Sequence, residues 1–262
     1  MNSPDCSVLV CSCDRYADVL TPFTKLFGKF WPNCPFPKIL VTENMPGAEI
    51  ASVFNRVIAC GKGGNWASRL VQALDKIETS RVLMLCDDYL LEAPVQNPVL
   101  LRRLEEMKTA NAVNLRLLPN PPQGIDRGNG LMEYPKNTAY CVSTLAGFWE
   151  VEYLRKLALP VKSIWEFERY GSFAVNEVER PILATKVKEF PFVDAVHKGC
   201  WEKFGVAVCR ANGIALDLSV RGLPGWKTRW VEGCKRLVFA LFPHTWIVRV
   251  QNRLGTGAKE RT

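Results

Sequence analysis

Short apolar runs that end at acidic residues set the rhythm of the first half of the chain. Ser7 to Cys13 (SVLVCSC) runs into Asp14-Arg15, Lys38 to Thr42 (KILVT) into Glu43-Asn44, and Val82 to Leu85 into Cys86-Asp87-Asp88. Runs this short, bounded by polar residues, predict strands buried on both faces. Arg56 to Ala59 (RVIA) and Ala112 to Leu117 (AVNLRL) predict two more. Between the runs the period changes. Val19, Leu20, Phe23, Leu26, Phe27 and Phe30 recur at helical spacing and predict a helix over Ala17 to Phe30, stopped by Trp31-Pro32. Leu70, Val71, Leu74 and Ile77 give one apolar face to a helix from Trp66 to Ile77. Asn65, after a turn containing Gly61, Gly63 and Gly64, is placed to cap it. A polar-faced helix over Pro98 to Ala110 follows. Strands alternating with helices predict an α/β fold with a mostly parallel central sheet.

The texture changes after Leu117. Leu118 to Asn137 is rich in Pro, Gly and Asn and predicts a long loop, a feature usually kept for function. Ala139 to Ser143, Ile182 to Val187 and Phe192 to Val196 predict strands, with His197 following the last. Gly147-Phe148-Trp149 leads into a short helix over Val151 to Leu157, and Ile164 to Tyr170 (IWEFERY) predicts another helical turn carrying two acids. We divide the chain into a domain over 1–220, with halves 1–117 and 118–220, and a tail over 221–262.

Composition narrows the class. Of 262 residues, 48% are hydrophobic and 23% charged, as in ordinary globular chains. No apolar run reaches the ~18 residues a membrane span needs. The opening MNSPDCSVLV has neither a basic region nor a long apolar core, so no secretion signal is expected. The ten cysteines are scattered without a C-x-x-C pair, and there are only two histidines. A structural zinc site is therefore not expected, and the thiols read as reduced core residues of a cytoplasmic protein. The net charge of +8 is concentrated in the tail: from Arg221 onward there are nine Lys or Arg against two Asp or Glu. Interleaved with Trp226, Trp230, Phe239, Phe242 and Trp246, this composition predicts peripheral contact with an anionic membrane surface rather than with nucleic acid.

The chemistry concentrates at Asp87-Asp88. Carboxylates at the carboxyl end of a central strand lie where open α/β sheets bind ligands. They are hard oxygen donors suited to Mg²⁺ or Mn²⁺ shared with substrate phosphates. Glu166 and Glu168 are two positions apart on one predicted helix and point roughly 200° apart, so only one of them can face the cleft. Trp165, Trp149 and Phe148 are the aromatic faces on offer to a ligand.

In order, CSCDRYADV, GGNWASRLVQAL, VLMLCDDYLLEAP, LAGFWEVEYLRKL, SIWEFERYGS and HKGCW resemble glycosyltransferases of the GT-A fold. More narrowly, they resemble small bacterial transferases of surface polysaccharide (capsule or lipopolysaccharide) synthesis. The resemblance spans Ser7 to Trp201. It implies a Rossmann-like, metal-dependent, inverting enzyme that moves a sugar from a nucleotide-sugar donor to a saccharide or lipid-linked saccharide acceptor. The first half would bind nucleotide and the second acceptor. Cys13, Asp14, Arg15, Glu43, Asn65, Trp66, Arg69 and Asp87 would then bind the donor, Asp88 and His197 would hold Mn²⁺ or Mg²⁺, and Glu166 or Glu168 would be the catalytic base. The chain departs from the family's D-x-D at Cys86, which leaves Asp88 as metal ligand and Asp87 as its helper. Two rivals remain: a nucleotidyltransferase on the same sheet, and a non-enzymatic membrane-associated binding module. The nucleotidyltransferase class uses a Gly-rich loop after the first strand, where this chain has CSCDRYAD.

Overall fold

The computed structural model describes residues 5–175 and 179–225. The tail expected over 221–262 lies outside the described residues from 226 onward.

Four short apolar runs form the strands expected of them. These are β1 (Ser7–Cys11), β2 (Lys38–Thr42), β3 (Arg56–Ala59) and β4 (Arg81–Cys86). They pair in parallel in the order β3-β2-β1-β4. Successive side chains alternate faces. Val8 and Val10 join one core, with Leu40, Leu83 and Leu85; Leu9 and Cys11 join the other, with Ile39, Val41, Val82 and Met84. Helix α1 (Ala17–Phe30) covers the first core with Phe23, Leu26 and Phe27. Helix α3 (Trp66–Leu74) covers the second with Ala67, Leu70 and Leu74. Between them comes a single helical turn, α2 (Ala48–Ala51). Asn65 caps α3 as expected, its side-chain oxygen accepting from Ser68 N at 2.9 Å.

The sheet continues through β9, β6, β10, β8 and β7 to nine strands. In chain order these are β6 (Asn114–Arg116), β7 (Ile125–Gly128), β8 (Leu131–Glu133), β9 (Gly147–Glu150) and β10 (Ile182–Thr185). Only β9 and β8 run against the rest, so the sheet is mostly parallel, as expected. Three helices sandwich this part. Helix α4 (Asn97–Thr109) lies on the first core; α5 (Val151–Ala158) and α6 (Ile164–Ala174) lie on the second. Outside the main sheet, β5 (Tyr89–Leu91) pairs with β11 (Phe192–Asp194), and β12 (Val196–His197) with β13 (Cys200–Trp201). Helix α7 (Lys203–Ala211) packs Cys209 into the first core.

Several expectations need correction. The long loop of Leu118 to Asn137 contains the hairpin β7–β8. Its turn, Asn129-Gly130, has φ of 50° and 75°, the left-handed pair that Asn-Gly adopts most readily. Ala139 to Ser143 is not a strand. Tyr140 has φ 58°, and the segment is held by side chains instead: Arg116 donates to Cys141 O at 2.6 Å and Ser172 accepts from Val142 N at 3.1 Å. Gly147-Phe148-Trp149 is itself strand β9, not a lead-in. A Cβ on Gly147 would sit 3.0 Å from Leu115 O, so this strand approaches β6 closely only because the residue is glycine. Phe148 and Trp149 are fully buried in the two cores and offer no face to a ligand. Of the three aromatic candidates, only Trp165 is exposed, at 68%, on α6 beside the exposed Tyr170 and Phe173.

Candidate functional site

The carboxyl ends of β1, β2 and β4 open on the same edge, because the strands are parallel and in register. The residues just past those ends are therefore neighbours although far apart in sequence. After β1, Asp14 accepts from Asn44 N at 3.2 Å and from the Asn44 side chain, while its own N–H donates to Glu43 at 3.0 Å. Glu43, after β2, also accepts from Arg69 at 2.9 Å, and Arg69 donates to Gly64 O at 2.7 Å. Cys13, Asp14, Glu43, Asn65 and Arg69 thus lie in one connected rim. Within it, Glu43 and Arg69 engage each other, and the Asn65 side-chain oxygen is taken by the helix cap. Trp66 packs edge-on against Phe167, with centroids 5.3 Å apart, and anchors α3 to α6. Arg15 is exposed beside the rim.

Asp87 and Asp88 stand at the centre of this edge. Asp87 is buried; its Oδ2 accepts from Ser12 Oγ at 2.5 Å and its N–H donates to Cys11 O at 3.3 Å, which ties β4 to the end of β1. Burial pushes its carboxyl up, against the Ser12 bond that favours the ionised form. Asp88 is pushed well up as well, by burial first and then by the negative charges of Asp87 and Asp194. Among the described residues neither acid belongs to an ion pair. Asp194 reaches the pair because β11 returns beside β5, setting it opposite Tyr89, and Ala195 N donates to Asp88 O at 2.9 Å. His197 lies in the following hairpin; its charge acts on Asp194.

The two glutamates of α6 part company. Glu166 is exposed and closes the helix start: it accepts from Lys162 N at 2.7 Å while its own N–H donates to the cap Ser163 at 3.2 Å. This reciprocal arrangement resembles a capping box. Glu168 turns inward. Its Oε1 accepts from Thr144 N at 2.9 Å and from Thr144 Oγ1 at 3.1 Å, which leaves Oε2 free of protein donors among the described residues. The Tyr89 hydroxyl donates to Thr144 O at 3.5 Å, so Glu168 is linked through Thr144 to Tyr89, the residue beside Asp88.

Ser12, Tyr16, Tyr89, Thr144 and Asp194 belong to the site and are not found by reading motifs. Ser12, Tyr16 and Tyr89 lie inside motif stretches that sequence reasoning singled out, whereas Thr144 does not. Burial first, and then the charge of Asp88, push the Tyr16 phenol up to about 12. Arg116 is another. It is fully buried, donates to carbonyls of residues 140 and 141, lies 5.4 Å from the Tyr134 ring and carries its charge toward Glu168.

The acid pair offers hard oxygen ligands, as Mg²⁺ or Mn²⁺ requires. Among the described residues no three His, Cys, Asp or Glu side chains group as a complete metal cage.

No family model matches the chain, and no curated protein matches it. Among solved structures, S. aureus TarS has a TM-score of 0.45 at 13% identity, over 71% of this chain and 36% of TarS. A fragment of TarS, residues 1–349, gives 0.46 at 13%, over 71% and 59%. The chain thus spans little more than a third of full-length TarS. A mannosyltransferase, PcManGT from Pyrobaculum calidifontis, solved with GDP-Man and Mn²⁺, gives 0.41 at 12% identity, over 60% of this chain and 47% of that one. A cytidylyltransferase from Leptospira borgpetersenii gives 0.42 at 11%, over 84% and 98%. Similarities of this size do not assign the chain to a family. Among the described residues no helix is long and apolar enough to cross a membrane.

Proposed function

We propose that the chain is a metal-dependent glycosyltransferase that moves a sugar from a nucleotide-sugar donor to a saccharide acceptor. One observation carries the reading. Two adjacent acids, without a cationic partner among the described residues, sit at the carboxyl end of a central parallel strand, and a second, separately held carboxylate is linked to them through Tyr89 and Thr144. Buried carboxylates are costly unless something compensates them. Asp88, helped by Asp87, would hold Mn²⁺ or Mg²⁺ against the donor diphosphate. When bound, that ion neutralises charge on the leaving group as a Lewis acid. Ser12 fixes the Asp87 carboxylate and Tyr16 flanks the pair. The Cys13–Arg15 turn, Glu43, Asn65, Trp66 and Arg69 shape the rim that receives the nucleotide, and His197 stands at its far side. Glu168, with Oε2 open, is the base that takes the proton from the acceptor hydroxyl, which makes the transfer inverting. Glu166 is then a cap rather than a base.

The acceptor in this reading is a growing surface glycan on a lipid carrier, and the basic aromatic tail holds the enzyme at the inner face of the membrane. Composition supports that part: nine Lys or Arg and several aromatics after Val220. The deciding experiment incubates the full chain with a panel of nucleotide sugars and nucleoside triphosphates, with and without Mn²⁺. Melting temperature is followed first, since ligands that bind the folded state raise it; products are then analysed. Mn²⁺-dependent stabilisation by one nucleotide sugar, with release of its nucleotide diphosphate, is expected. Release of pyrophosphate from a triphosphate instead would make it a nucleotidyltransferase, and stabilisation without turnover would make it a binding module.

A further inference from the structure

After α7 the chain returns to the carboxyl edge of the sheet, and Arg221 is buried there. Its guanidinium reaches two separate pieces of chain. Nε and Nη2 donate to the two carboxylate oxygens of Asp18, in the first turn of α1, at 2.9 and 3.1 Å. Nη2 also donates to Arg15 O at 2.9 Å, and Nη1 donates to Gly199 O at 3.1 Å. The charged plane lies over the Tyr16 ring, 4.4 Å from its centroid. One residue on, Gly222 O accepts from Trp201 N at 3.0 Å.

An exposed ion pair joins two side chains and contributes little. This one is buried and uses four of the five donors an arginine has. The fork geometry matters, because an ammonium has three donors at one point and cannot make these four bonds, the two-point grip on Asp18 among them. The pieces it joins are those that flank the acid pair. On one side is the turn after β1, with Asp14, Arg15 and Tyr16. On the other is the β12–β13 hairpin, whose turn at Lys198-Gly199 has φ of 50° and 76° and presents His197.

We propose that Arg221 is a positioning residue for the Asp87–Asp88 site: it clamps the turn after β1 to the hairpin of His197, so that Tyr16 and His197 are held around the bound diphosphate. The unit that binds donor therefore extends past Val220, into what composition alone assigns to a tail. This inference rests on the donor-site reading above.

The test uses the full chain and Mn²⁺ with pyrophosphate as the probe, read by calorimetry, alongside hydrogen exchange. In Arg221→Ala, exchange should quicken in 13–18 and 197–201 but not in β2. Affinity for Mn²⁺–pyrophosphate should fall roughly 10- to 100-fold, the usual cost of losing a group that orients a ligand-holding residue. Arg221→Lys should recover part of the affinity, since it keeps the charge opposite Asp18, and it decides the matter if the alanine variant does not fold. Asp18→Asn should reproduce the loss from the other side. Unchanged exchange in both segments would overturn the clamp. Quickened exchange with wild-type affinity would overturn the positioning role and leave a structural one. If the wild-type chain does not bind Mn²⁺–pyrophosphate, the donor-site reading itself falls and takes the role of Arg221 with it.

Discussion

The two halves of the sheet hold together by different means. From β3 to β4, parallel strands carry almost unbroken apolar side chains, and helices α1 and α3 cover them with regular stripes. From β9 to β7 the strands are short and change direction, and polar side chains do much of the joining. Arg103, fully buried on α4, grips Glu189 at 2.5 and 2.7 Å, Glu106 at 2.6 Å and the Asn129 carbonyl at 2.8 Å. Arg116 holds the 140–141 carbonyls, Asn114 donates to Phe148 O at 2.8 Å, and Tyr134 donates to Pro121 O at 2.9 Å. The first half is a scaffold whose strand ends carry the acids. The second is a set of segments tied in place by individual bonds, and it carries the inward glutamate. Changes in the first half should act through charge at the strand ends, and those in the second through geometry.

The sharpest break is Asp88→Asn. It removes the carboxylate that would hold the ion compensating the leaving group and should lower turnover to background, on the order of a thousandfold or more, given the several kcal/mol such an ion supplies. The fold should survive, since the variant also removes a costly buried acid. Wild-type turnover in Mn²⁺ would break the comparison at its root. Next comes Glu168→Gln, with a loss of about two to four orders of magnitude in turnover, the usual worth of a general base. Donor binding, measured by melting shift, should persist because the other half builds that site. Equal and small losses in Glu168→Gln and Glu166→Gln would remove the base from α6.

A milder effect is expected from pH on the metal-free chain. The Asp87 carboxyl is raised by burial to about 7 in the fold, whereas in the unfolded chain it titrates near 3.8. Between those values the folded state holds the proton that the unfolded state has lost, so this group should make stability fall as pH rises through the window, by about 1.4 kcal/mol per unit at most. Asp87→Asn should flatten the slope, and Mn²⁺ added above pH 7 should recover stability. A chain that instead gains stability from pH 4 to 7, with no change in Asp87→Asn, would contradict the raised carboxyl. The smallest effect belongs to Glu166→Gln. Weakening the α6 cap should lower stability by about 1 kcal/mol and leave turnover near wild type. A large loss of turnover would return Glu166 to the chemistry.

The same contrast explains what could be read from the sequence. β2 and β3 and helix α1 have the residue bounds their apolar patterns predict, because burial on regular elements leaves a period. The acid pair was legible because it interrupts such a run. The hairpin at Asn129-Gly130 carried a turn signal inside a stretch dominated by Pro and Gly, and was absorbed into a loop. β11 falls inside the strand predicted over Phe192 to Val196, but β5 has three residues, too short for a period, and the pairing of the two is set by tertiary contact. Ser12, Thr144, Asp194 and Arg221 leave no local mark at all. Each matters through a partner far away in the sequence, which a single chain read in order does not display. For α6 the helical geometry predicted that one glutamate would face inward. Which one depended on Ser163, whose cap draws Glu166 outward.

The chain leaves the main sheet at the acid pair and enters the small β5–β11 sheet one residue later, which has a consequence for how the site comes into being. The β1–β4 scaffold is complete by Cys86, but Tyr89 finds Asp194, and the Asp88 carbonyl finds Ala195, only when a much later part of the chain closes back. Closing so long a loop costs entropy before any contact repays it. The scaffold thus condenses first and the acid pair is enclosed last. Substitutions that weaken the β5–β11 pairing should speed unfolding while leaving the folding rate nearly unchanged, so the site opens before the fold that carries it is lost.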